Sequence, residues 1–148
     1  MQRFQFPLEQ ALKWRTTSLD LENAKLARLR QEKERAIQDC AILRETAQRE
    51  VTGFQASSRN ATGAELAMLA AYRQGVAARL KALATVIESC EAGIEKQKSI
   101  VVEADREKRL LECLKQRQFE EWSYELNREI ENTAGELFLA NQRRQSHR

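Results

Sequence analysis

From Leu66 to Trp122 an apolar residue recurs in alternating steps of three and four, and this string constrains the fold more than any other feature. It reads Leu66, Leu69, Arg73, Val76, Leu80, Leu83, Ile87, Cys90, Ile94, Gln97, Val101, Ala104, Lys108, Leu111, Lys115, Gln118 and Trp122. Twelve of the seventeen are apolar, where the overall 42% hydrophobic content predicts about seven. Such spacing lays the residues along one stripe of a helix, the seam of a coiled coil. An isolated helix has no interior in which to bury that stripe. The seam needs a partner.

The partner lies upstream. The same steps from Leu8 give Leu8, Leu12, Arg15, Leu19, Glu22, Leu26, Leu29, Lys33, Ala36, Cys40, Leu43, Ala47, Glu50 and Phe54, of which ten are apolar. Between the two strings, residues 55–65 are mostly small and polar, and Gly53 and Gly63 bracket them as a turn would require. Thr62 followed three residues later by Glu65 has capping-box spacing, which starts the second helix at Gly63. A short loop sets consecutive helices antiparallel. The expected fold is therefore all-α, two long helices in an antiparallel coiled-coil hairpin. Its bounds are a helix over about 7–56, a loop over about 57–62, a helix over about 63–141 and a basic tail over 142–148, all one domain.

Register follows from the loop. Cys40 is expected to meet Leu80, Leu29 to meet Cys90, Leu26 to meet Ile94 and Leu8 to meet Leu111. Glu22 is expected to face Gln97, and two polar seam residues together should loosen the coil there. The second helix overhangs the first by about thirty residues, counted from the seam strings. Seven of the nine aromatic residues gather at this open end: Phe4, Phe6, Trp14, Phe119, Trp122, Tyr124 and Phe138. Aromatics beyond a paired region are common interface anchors, and the alternative is that the N-terminal ones fold over helix two and staple the end.

Several chemistries lack their residues. There is no glycine-rich phosphate loop, no nucleophile elbow and no His-Glu metal spacing. Glu120 and Glu121 are adjacent in sequence, so on a helix they point about 100° apart. Cys40 and Cys90 are seam residues with other partners, and three cysteines at wide spacing form neither a disulfide framework nor a zinc site. Glu32 and Glu34 interleave with Arg28, Arg30, Lys33 and Arg35, which cancels the field a nucleic-acid grip needs. A net charge of +3 is mild, and the Arg143, Arg144, His147, Arg148 tail reads first as a solvated end. No catalysis, cofactor, metal, nucleic acid or small-molecule substrate is expected. No apolar run is long enough to cross a membrane and no signal core opens the chain, so a cytoplasmic location is expected.

Both ends of the chain resemble the flagellar export protein FliJ family. Phe4, Phe6, Pro7, Leu8, Glu9, Leu12 and Arg15 are similar to that family's opening. Leu111, Leu114, Lys115, Arg117, Gln118, Glu120, Glu121, Trp122, Glu125, Arg128 and Glu129 are similar to its charged closing segment. The resemblance implies a non-enzymatic stalk of the bacterial type III flagellar export apparatus, akin to the rotor stalk of rotary ATPases. It implies three partners: the hexameric export ATPase, export chaperones awaiting recycling, and the membrane-embedded export gate, which would hold the protein at the cytoplasmic face of the membrane. By the same resemblance the ATPase-binding set is Phe4, Phe6, Arg15, Arg117, Phe119, Trp122 and Arg128, and the gate face runs through Tyr72, Arg79 and Val86. An injection-type secretion stalk has the same shape. A self-associating coiled-coil scaffold is the alternative from another class.

Overall fold

A computed structural model of the chain describes residues 3–57 and 59–146. Two helices make up nearly all of it: α1 (Glu9–Ser57) of 49 residues and α2 (Gly63–Ser146) of 84. There are no strands among the described residues. The molecule is all-helical, as the two seam strings require.

Where α1 starts is set by Pro7. Pro7 and Leu8 form the turn before the helix, and the first backbone bonds run from the Glu9 N–H to the Phe6 carbonyl and from the Leu12 N–H to the Leu8 carbonyl. Proline brings a fixed φ and no amide proton, which costs nothing ahead of a first turn. Helix α2 begins at Gly63, held by the capping box. The Glu65 carboxylate accepts the Thr62 backbone N–H at 2.7 Å, and the Thr62 hydroxyl accepts the Glu65 N–H at 3.3 Å. The bond from Thr62 holds the Glu65 carboxyl below its ordinary range.

Two local expectations need correction. Gly53 lies inside α1, and none of the described glycines has positive φ, so it does not shape the turn. Helix α2 runs on through Arg143 and Arg144 to Ser146, where a non-helical tail is expected from 142; nothing in its sequence stops it earlier, since neither proline nor a glycine cap intervenes. His147, Arg148 and Ser58 lie outside the described residues. Packing groups the chain into two compact units, residues up to Leu19 with Glu103 onward and Asp20–Val102.

The Asp20–Val102 unit is built on the seam. Leu26, Ala36, Cys40, Cys90 and Ile94 are buried, and Leu29, Leu43, Val76, Leu80, Leu83 and Ile87 are half-buried. Partners of successive α1 residues fall along α2. Gln97 bonds to Glu22, Leu29 lies within 3.6 Å of where a Gly93 Cβ would stand, and Lys33 pairs with Glu91 at 2.9 Å. The seam weakens towards the loop, where Leu66, Arg73 and Glu50 are exposed.

Glu22 and Gln97 do meet, but the layer is knit together. Gln97, 8% exposed, donates its amide to the Glu22 backbone carbonyl at 3.0 Å and also to the Glu22 carboxylate. That carboxylate accepts a further bond from Lys25 at 2.9 Å, and the two donors hold it below the ordinary glutamate range, Lys25 first. Among the described residues no buried side-chain nitrogen or oxygen lacks a hydrogen-bond partner. A satisfied pair costs far less than the two isolated polar groups that the expectation of a loosened coil assumed.

Candidate functional site

The second unit, which carries the N-terminal arm and the C-terminal half of α2, holds most of the residues singled out from the sequence. Its geometry begins with long cationic side chains in seam positions. Lys and Arg lay their aliphatic stems along an apolar stripe and send the charge to its edge. Arg15 is half-buried and pairs with Glu107, while Lys115 is half-buried and reaches Glu9 at 2.7 Å. These two ion pairs join the start of α1 to α2.

The arm then crosses α2. Phe6, 7% exposed, is buried beneath the Lys115 ammonium, which sits 5.9 Å from its ring centre. Phe4 meets Phe119 edge-to-face at 5.3 Å and Trp122 at 5.8 Å, and Phe119 and Trp122 are themselves 5.8 Å apart. Edge-to-face and tilted arrangements at these separations suit the ring quadrupoles. Phe119 and Trp122 lie three residues apart in α2, so one helix face presents both rings to the arm. Leu8, by contrast, is 41% exposed, because the chain has already left the helix there, and the buried side chain of the arm is Phe6. Beside the rings, Arg3, Gln5, Pro7, Gln118, Glu121 and Glu125 line a polar groove of about 640 Å³.

The seven residues expected at a partner surface therefore divide. Phe4, Phe119 and Trp122 form one aromatic cluster, still partly open, with Phe119 43% exposed. Phe6 is covered and Arg15 is engaged, so neither is presented while the arm is docked. Arg117 and Arg128 are exposed and have no ion-pair partner among the described residues. Trp14 is also exposed, with the Arg15 guanidinium 4.8 Å over its ring.

No protein-family model, curated protein or solved structure matches this chain.

The three residues expected at a gate contact lie in the other unit. Tyr72, Arg79 and Val86 are spaced by seven on α2, share one face and are all exposed. Nearby, Phe54, Leu69, Met68 and Tyr72 line a mainly apolar groove of about 350 Å³ that the seam pattern did not indicate. It opens because the seam stops short of the loop. No three His, Cys, Asp or Glu side chains among the described residues gather to hold a metal, and no described helix is long and apolar enough to cross a membrane. Cys113 is exposed, while Cys40 and Cys90 are buried thiols.

Proposed function

We propose that the chain is a non-enzymatic antiparallel coiled-coil stalk of the flagellar type III export apparatus, which binds and stimulates the export ATPase ring. The observation that carries the reading is the unit in which the N-terminal arm docks on the C-terminal half of α2. It joins an aromatic cluster of Phe4, Phe119 and Trp122 to two exposed, unpaired arginines, Arg117 and Arg128. Both arginines lie roughly 120–180° around α2 from the rings, and aromatic and arginine side chains are the types enriched at interface hot spots. Pairings that descend α2 as α1 ascends support the antiparallel arrangement: Glu9 with Lys115 in this unit, Glu22 with Gln97 and Lys33 with Glu91 in the other. Helical geometry spreads Arg117, Phe119 and Trp122 over more than one face, as a shaft inside a pore requires. The proposal extends to recycling of export chaperones and to a peripheral place at the membrane, with the exposed Tyr72, Arg79 and Val86 face turned to the export gate.

The test is stimulation of the cognate flagellar export ATPase by purified variants. Arg117→Ala removes an exposed charge that holds nothing in the fold, and it is expected to weaken binding roughly thirty-fold, the loss of about 2 kcal/mol typical of an anchor. Trp122→Ala removes a second anchor and loosens the cluster, so circular dichroism of the variant checks that the helices persist. Arg30→Ala, on a solvated face of α1, is expected to change nothing. Full stimulation by both Arg117→Ala and Trp122→Ala would rule out the stalk assignment for this end.

A further inference from the structure

The face of α2 that carries Phe119 and Trp122 does not end with them. On a helix advancing 100° per residue, Leu126, Ile130 and Leu137 fall within about 40° of the same line. Upstream, this line is covered by the arm, through Phe4 on both rings. Downstream the cover ends at Leu126, which is half-buried, and every residue from 127 to 145 is exposed, with Ile130 at 46% and Leu137 at 62%. The stripe is thus the continuation of an interface the chain already makes with itself, left open where the arm stops.

Its edge is acidic. Glu125, Glu129 and Glu136 lie about 60–100° to one side of the line and form a single row of carboxylates. None of the three has an ion-pair partner among the described residues. The arm shows what suits such a surface, since it seats an aromatic ring on the stripe and places Arg3 in the groove that Glu121 and Glu125 line.

We propose that Leu126, Ile130 and Leu137, edged by Glu125, Glu129 and Glu136, form a docking surface for a basic amphipathic helix of a partner protein. That helix would set apolar residues at three-four spacing on the stripe and a row of Lys or Arg against the glutamates. The charge pattern decides among occupants. Two antiparallel copies of this face would set carboxylates beside carboxylates, two parallel copies would leave each acidic row against the neutral flank of Ser123, Asn127 and Ala134 with no cation to pair it, and an anionic lipid surface would meet the row with repulsion. The inference deepens the partner-binding reading of this end and rests on it only in requiring that the stripe be free in the isolated chain.

The probe is a labelled helical peptide of leucine and lysine with leucines at three-four spacing, compared with its leucine–glutamate counterpart. Fluorescence anisotropy with the full chain is expected to show salt-sensitive binding of the lysine peptide and none of the glutamate peptide. Leu126→Ser, Ile130→Ser and Leu137→Ser together are expected to weaken binding more than tenfold. Glu125→Lys, Glu129→Lys and Glu136→Lys together are expected to exchange the preference for the glutamate peptide. Circular dichroism of both variants checks that the helix persists; should the serine variant fray, the charge reversal, which keeps the stripe, decides alone. Equal lysine-peptide binding by wild type and both variants would overturn the proposal. So would a wild-type dimer in sedimentation equilibrium that the serine variant abolishes, which would assign the stripe to a second copy. The assay contains no ATPase, so its failure leaves the Arg117 and Trp122 test standing, and the reverse holds too.

Discussion

Gln97 is the buried polar side chain of the described core, and its bonds to Glu22 show how a seam tolerates a break in its apolar string. Each partner alone would be a desolvated polar group; together they satisfy each other. Substitution should therefore be strongly non-additive. Glu22→Leu is expected to destabilise, because it strips the Gln97 amide of one acceptor, whereas Glu22→Leu with Gln97→Leu should be neutral or stabilising. Chemical denaturation of the four-member cycle measures the coupling, and additive effects would show that the bond contributes nothing. A second residue-scale outcome concerns acid. The Glu65 carboxyl is held below its ordinary value by the Thr62 N–H, so its contribution is present at neutral pH and lost as pH falls through that lowered value. The thermal midpoints of wild type and Glu65→Ala should differ at pH 7 and converge on acidification. A constant gap down to pH 2 would remove the capping box as its cause.

At the scale of the element, the seam was legible in the sequence because helical period and burial are one fact seen twice. Along α2, the residues from Leu69 to Trp122 that the spacing picks out are buried or half-buried, with Arg73 the exception. The start of α2 was legible too, since a capping box is a local chemical signal. The arm was not. Phe4 and Phe6 belong to no periodic pattern, and only contacts with Lys115, Phe119 and Trp122 decide that they dock. The polar seam residues were legible as interruptions, but Arg15, Lys33 and Lys115 reach carboxylates off the stripe, at Glu107, Glu91 and Glu9. No spacing rule on one helix encodes those partners. The end of α2 was misplaced because nothing marks it, and residues 127–145 are exposed throughout. Helix without packing is marginal in water. Amides over 127–145 should therefore exchange with solvent orders of magnitude faster than those from Cys90 to Gln97, as hydrogen exchange would show. A chain ending at Leu126 should keep the thermal midpoint of the full chain, because it retains every ring that the arm touches. A fall of tens of degrees would mean that the removed segment packs against the rest.

For the whole molecule, both functional readings depend on one arrangement, in which each chain pairs α1 with its own α2 and leaves the far part of α2 to a partner. The alternative is a dimer of long helices in which seams are filled between chains. Spin labels at Leu12 and Lys108 discriminate most directly, because both positions lie in the unit that holds the arm, close to the Arg15–Glu107 pair. Helix axes 8–10 Å apart place such labels within about 20 Å once the label arms are added. Doubly labelled chain diluted in a large excess of unlabelled chain should retain that short distance unchanged. Loss of the short distance on dilution, with its appearance between singly labelled chains, would contradict the account.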